Sequence, residues 1–346
     1  MTKPKLSFWQ IWNLSFGFLG VQIGYSLQNS NTSSIFESLG ADVSHLSYFW
    51  LAAPLAGMIV QPIVGLFSDG TWTRWGRRIP YILGGSLISA LALVLMPNCP
   101  KLLAFAPLAM GAFILLFMDL SFNVTMQPFR ALVADMLDDS QKTQGYVVQT
   151  FLINLGAVVG AILPLVMTWL GVSDEAAPGH VSPHIAYSYY AGGAILLLTV
   201  LVTSFKTREY PPGEFARYNN LSEEDAKPVS FVGLMRNVPG VMVRLGVTQF
   251  FSWAALFLMW TYLKPAITGV VTDHATGEVL SAGATQTWVG VLNGTYPIPA
   301  CIAALFLGPS IKSCDSHKVV KIPRFPDTTE SVSYTHLRAH ETRSNL

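Results

Sequence analysis

Asp119, Asn123 and Gln127 recur at every fourth residue through an apolar stretch, Phe117-Met-Asp-Leu-Ser-Phe-Asn-Val-Thr-Met-Gln-Pro-Phe-Arg-Ala-Leu-Val-Ala-Asp135. That spacing places the three side chains on one helix face. A carboxylate inside a lipid-spanning helix is costly, so it faces the protein interior or a water-filled cavity. Withdrawn from water, a carboxylate takes up a proton more readily. Asp119 can therefore be protonated in the working range of pH, and a purely structural tie to a second helix is the competing role.

A second charged group joins two apolar runs. Gly65 to Leu83 carries Asp69, Arg74, Arg77 and Arg78 in a very short connection. Arginines can bind carboxylates through charge-assisted hydrogen bonds. Asp135, Asp138 and Asp139 are candidate partners, with Arg130 close by in sequence, and Gly65 would allow a close helix approach. Anchoring of the loop by positive charge is the simpler role.

Hydrogen-bonding and aromatic residues recur in other apolar runs. Gln22, Tyr25, Gln28 and Asn29 lie in the first, with 22, 25 and 29 on one stripe. Asn154 lies beside Gly156 and Gly160, which suit helix packing. Trp253, Asn293 and Tyr296 follow, whereas Trp260 and Trp288 read as interface anchors or packing.

Other chemistry finds little footing. No Gly-Lys-Ser/Thr phosphate loop occurs, which argues against ATP-driven work. Cys99, Cys301 and Cys314 have neither metal nor disulfide spacing. His180 and His184 fall in an expected solvated loop, so no metal site and no cofactor are expected. No reactive constellation marks an enzyme, and a net charge of +1 gives no reason to expect nucleic acid.

The elements that hold these residues are membrane helices. Hydrophobic residues make up 51% of the 346 residues and charged residues only 12%, against about 25% charged in soluble domains. A run of about 20 apolar residues spans a bilayer as a helix. That length predicts eight spans, near 8–28, 46–68, 79–97, 103–127, 143–170, 187–205, 241–263 and 285–308. With the N-terminus inside, thirteen Lys and Arg residues fall on the cytoplasmic side and its helix ends, and only Lys101 and Lys264 on the other. Such asymmetry fixes topology. The N-terminus and central loop are expected in the cytoplasm. The polar stretch 206–240, with Pro211-Pro212-Gly213, reads as a cytoplasmic linker between a six-helix bundle (1–205) and a partial second bundle of two helices (241–308).

The pattern Gly-x-x-x-Asp followed by Gly-Arg-Arg in Gly65–Arg78 resembles the loop signature of the major facilitator superfamily. Arg-Trp-Gly-Arg-Arg-x-Pro-Tyr, with Asp-x-x-x-Asn-x-x-x-x-Pro-x-Arg-Ala-Leu-x-Ala-Asp from Asp119 to Asp135, is similar to the glycoside–cation symporters, sucrose/maltose branch. The likeness also covers Gly20 to Gln28, Phe250 to Trp253 and Val289 to Tyr296. It implies an all-α major facilitator fold and a disaccharide substrate, an α-glucoside such as maltose or sucrose. It also implies a proton as coupling ion, carried at Asp119, and a monomer in a bacterial inner membrane. Gln22, Tyr25, Gln28, Asn29, Asn123, Asn154, Trp253, Asn293 and Tyr296 would then bind sugar. Gly65, Asp69, Arg74, Arg77, Arg78, Arg130 and Asp135 would form a cytoplasmic gate. Gly70 departs from the family, which carries a basic residue there, and Arg74 is the candidate substitute. A sodium-coupled symporter and a non-transporting sugar sensor remain alternatives.

After Gly308 the apolar pattern stops. Pro309 to Leu346 holds six of the 21 basic residues, and Val332 to Thr342 resembles a translated sequencing adaptor. Residues 309–346 are expected to be non-native or frameshifted. A chain ending there would lack four helices of the second bundle and would not transport by itself.

Overall fold

The computed structural model describes residues 3–41, 52–177, 179–219, 240–268 and 281–311, together with 238, 270, 277 and 279. Its helices are α1 (Phe8–Ser38), α2 (Ala52–Gly70), α3 (Ile79–Leu95) and, after a 3-10 turn at Met96–Asn98, the short α4 (Cys99–Leu102). There follow α5 (Pro107–Met136), α6 (Asp139–Trp169), α7 (Pro183–Lys206), α8 (Pro212–Tyr218), α9 (Gly240–Ile267), α10 (Ala282–Thr295) and α11 (Pro297–Ile311). Among the described residues no strand forms. Among the described residues, five helical stretches are long and apolar enough to cross a membrane: Ile79–Leu102, Pro107–Met136, Asp139–Trp169, Pro183–Lys206 and Gly240–Met259.

Several boundaries differ from expectation for identifiable reasons. α1 continues ten residues beyond Gln28, because its polar second half is buried and hydrogen-bonded inside the bundle. There the Asn31 amide donates to Leu27 O (2.9 Å) and the Thr32 hydroxyl to Gln28 O (2.7 Å). α7 begins at Pro183, so His184 is fully buried at a helix start while His180 is exposed, and the expected solvated histidine pair does not exist. The span expected at 285–308 is two helices that meet at Tyr296. Pro297 follows the junction, where a missing N–H is tolerated at the first helical turn. The start of the second span, linker residues 220–237 and tail residues 312–346 lie outside the described residues.

α1 is the central helix. Its start is fixed by a reciprocal cap: Ser7 Oγ accepts from the Gln10 N–H, and Gln10 Oε1 accepts from the Ser7 N–H. Leu6 and Gln141 exchange two 2.8 Å bonds, which bind this end to the start of α6. Phe18 stacks on Phe129 of α5 at 5.3 Å. On α6, Gly156 and Gly160 let α1 approach so closely that a Cβ would lie 2.5 Å from Leu19 O and Ile23 O. Ser26 Oγ donates to Ala157 O (2.8 Å) in the same seam. Gly65 behaves otherwise, since a Cβ there would meet nothing within 4 Å, and the expected close approach is not made.

That contrast gives a measurable outcome. Gly160→Ala forces α1 and α6 apart and is expected to cost about 2 kcal/mol, in the range of overpacked cores. Gly65→Ala should leave the unfolding temperature of the detergent-solubilised protein unchanged or slightly raised. Equal behaviour of the two variants in a thermal melt would refute the packing assignment.

Candidate functional site: a buried carboxylate and a charged end

Asp119 lies midway along α5 and is 2% exposed. The Gln28 side-chain amide of α1 donates to Asp119 Oδ1. Asp119 has no cationic partner among the described residues. One turn on, the Asn123 amide donates to Asp119 O (2.8 Å), and Gln61 of α2 donates to Asn123 Oδ1 (2.6 Å). Tyr25 sits edge-on to Phe122 of α5, with ring centroids 5.8 Å apart. Thus the facing helices α1 and α5 hold Gln28 against Asp119 and Tyr25 against Phe122, with Asn29 next along α1, whereas Arg130 lies about 16 Å along the axis of α5 from Asp119.

Arg130 had been expected at the gate. It lies five residues before Asp135, which turns it about 140° away around the helix. It lies eleven residues after Asp119, almost exactly three turns, and so shares that stripe. The structure leaves it exposed, outside the ion pairs that Asp135 makes. Gln61 was missed altogether.

Other expected binding residues divide. Gln22 packs beside Gly156, and the buried Asn154 donates to Thr150 O of its own helix (2.9 Å). Asn293 is buried in α10, with its amide 3.4 Å from Ser30 Oγ. Trp253 and Tyr296 are 41% and 51% exposed, and no residue of Gly240–Met259 is buried. The structure does not seat these two aromatics with the buried polar group.

At the end of the bundle that holds the N-terminus, the charges interlock. Asp135 Oδ2 accepts from Arg77 (2.5 Å) and Arg78 (2.9 Å), and Arg78 also reaches Asp69 (2.5 Å) and Ser68 Oγ (2.6 Å). Arg77 lies over the Phe215 ring at 4.2 Å. Arg74 remains outside, over its neighbour Trp75 at 5.7 Å. Asp138 and Asp139 are used locally instead: Asp138 caps α6 through the Ser140 N–H and hydroxyl, and Asp139 pairs with Lys142. The Ser140 bonds hold the Asp138 carboxyl below the usual carboxylate range.

Glu209, just beyond α7, is the residue that sequence reasoning overlooked. Its carboxylate accepts the backbone N–H groups of Arg77, Arg78 and Ile79 at 2.8–3.1 Å, closing the N-terminus of α3. Those amides have no intrahelical partner, and an anion there is favoured by the helix dipole. Burial nevertheless pushes the Glu209 carboxyl above its ordinary range. Gly76 is required beside it: its φ is +114°, and a Cβ would lie 2.5 Å from Glu209 Oε1.

An ion pair also forms towards the other end of α1. Lys264 of α9 donates to Glu37, and to Ser34 Oγ at 3.0 Å. The Gln286 amide of α10 donates to Ser30 O (2.6 Å) and Asn31 Oδ1 (2.9 Å).

These helices and buried polar groups define a multi-pass membrane protein with a major facilitator fold. The crystal structure of tetrameric PepTSo2 superposes with a TM-score of 0.54 over 87% of this chain and 71% of that one, at 15% identity, a likeness of fold. Residues 35–292 match the family described as MFS/sugar transport protein, and the chain belongs to it. It is 27% identical over 267 residues to sucrose transport protein SUT1 of Oryza sativa subsp. japonica, covering 69% of this chain and 49% of that protein. It is 25% identical over 283 residues to the general alpha-glucoside permease of Schizosaccharomyces pombe, covering 76% and 48%. Sucrose transport protein SUC3 of Arabidopsis thaliana is 31% identical over 157 residues, 41% of this chain and 26% of that one. The chain spans about half the length of the first two relatives.

Proposed function

We propose that this chain is the sugar- and proton-binding half of a carrier that moves a disaccharide, an α-glucoside such as sucrose or maltose, inward with protons. The observation that carries the reading is the buried Asp119 carboxylate of α5, hydrogen-bonded to Gln28 of α1, the helix that also carries Tyr25 and Asn29. Hydroxyl-matching amides and an aromatic ring suit a sugar, and a carboxylate without a cationic partner suits a proton. Membership of a sugar transport family, with sucrose and alpha-glucoside proteins among the relatives, supports the cargo.

In the proposed cycle the outer face is open first. Asp119 takes a proton, sugar binds between the helix bundles, and the bundles rock about it. The end that carries the Arg77–Arg78–Asp135 network faces the cytoplasm and holds that side closed in the outward-open state. The cargo shifts this equilibrium only through different affinity for the two states.

The test is uptake of labelled sucrose and maltose into proteoliposomes holding the carrier completed to the length of its relatives. An inward proton gradient should drive accumulation that a protonophore collapses. Accumulation that follows a sodium gradient and ignores pH would establish sodium coupling instead. Saturable binding without flux would indicate a sensor.

A further inference from the structure

Gln28 and Asp119 face each other as a buried pair in which each side chain has an idle oxygen. Gln28 Nε2 donates to Asp119 Oδ1, while Gln28 Oε1 and Asp119 Oδ2 are buried without a partner among the described residues. Two unpaired acceptors in one apolar setting are expensive. A proton on Asp119 relieves the expense. The carboxylic acid is then a donor, and an amide is donor at one end and acceptor at the other. Rotating the Gln28 amide by half a turn presents Oε1 to the acid. The rotation sacrifices no other contact, since the Nε2 bond to Asp119 is the one it exchanges.

Gln28 also stands at the start of the α1 segment that touches the C-terminal helices. Ser30 and Asn31 receive Gln286, and Ser34 and Glu37 receive Lys264. At 1.5 Å per residue these contacts begin about 3 Å along the axis from Gln28. The backbone carbonyl of Gln28 is itself tied to the Thr32 hydroxyl, in the same turn. Among the described residues, the titratable side chain beside this pair is Tyr25, three residues before Gln28 on α1 and packed on Phe122 of α5, while Arg130 lies three turns beyond Asp119.

We propose that Gln28 is a positioning residue that reads whether Asp119 holds a proton, by reversing its amide, and passes that state along α1 to the seam with α9 and α10. The inference rests on Asp119 being the proton carrier. It adds the residue that senses the proton and the contact surface that responds.

Infrared difference spectroscopy of this chain in lipid vesicles, with hydrogen–deuterium exchange of residues 30–37, tests both parts. Acidification should bring in a protonated-carboxyl band that Asp119→Asn removes. In Gln28→Met, which keeps length but not hydrogen bonding, the band should move to higher wavenumber because the acid hydroxyl loses its acceptor. Between the two pH values, protection of 30–37, corrected for intrinsic exchange, should change by about tenfold in wild type, the effect of one hydrogen bond to a charged group. That change should vanish in both variants.

If Asp119→Asn leaves the band in place, the proton-carrier reading fails and the inference falls with it. If Asp119→Asn removes the band but Gln28→Met alters neither band nor protection, the role of Gln28 is overturned and the carrier reading stands. Should Gln28→Met fail to fold, the comparison of wild type with Asp119→Asn still decides the seam. Protection of 30–37 that ignores pH in wild type would refute it.

Discussion

Asp119→Asn is expected to abolish proton-driven accumulation of disaccharide by the completed carrier while leaving exchange of sugar across the membrane intact. An asparagine has the shape of the carboxylate and can still accept from Gln28, but it cannot take up a proton. For one proton per sugar, each pH unit of gradient is worth about 1.4 kcal/mol, or about tenfold accumulation. The variant should fall to equal concentrations on both sides. Counterflow, in which preloaded unlabelled sugar draws labelled sugar inward, needs only binding and rocking and should persist. Undiminished accumulation would remove Asp119 from the coupling step.

The second large effect is expected at the charged end. Asp135→Ala deprives Arg77 and Arg78 of the carboxylate they share, and both guanidinium groups are buried. Removing one member of such a network strands charge and should cost about 3 kcal/mol, read as a lowered unfolding temperature of the purified chain. Asp139→Ala breaks only an exposed pair with Lys142 and should cost at most about 0.5 kcal/mol. Asp138→Ala removes the α6 cap and should lower the unfolding temperature less than Asp135→Ala does. If the three variants melt together, Asp135 does not have the central place that its two arginine contacts assign to it.

The apolar spans were legible because lipid demands uninterrupted hydrophobic helices, and the charged loop was legible because arginines cluster where a span ends. What escaped was polarity satisfied at a distance. The run Gln28 to Ser33 reads as a helix end, yet it is the buried interior of α1, paired with α5 and α10. The resemblance placed Arg130 at the gate, although three helical turns align it with the stripe of Asp119. Glu209 gave no signal because its partners are backbone amides, which carry no side-chain signature. Trp253 and Tyr296 were selected by residue type, and residue type does not fix the direction a side chain faces.

Proton entry accompanying sugar tests the central claim most directly. De-energised cells expressing the completed carrier, in weakly buffered medium, should alkalinise that medium when sucrose or maltose is added. The proton flux should scale with sugar uptake and disappear in Asp119→Asn. Sugar entry with no change in external pH would contradict proton symport at this carboxylate.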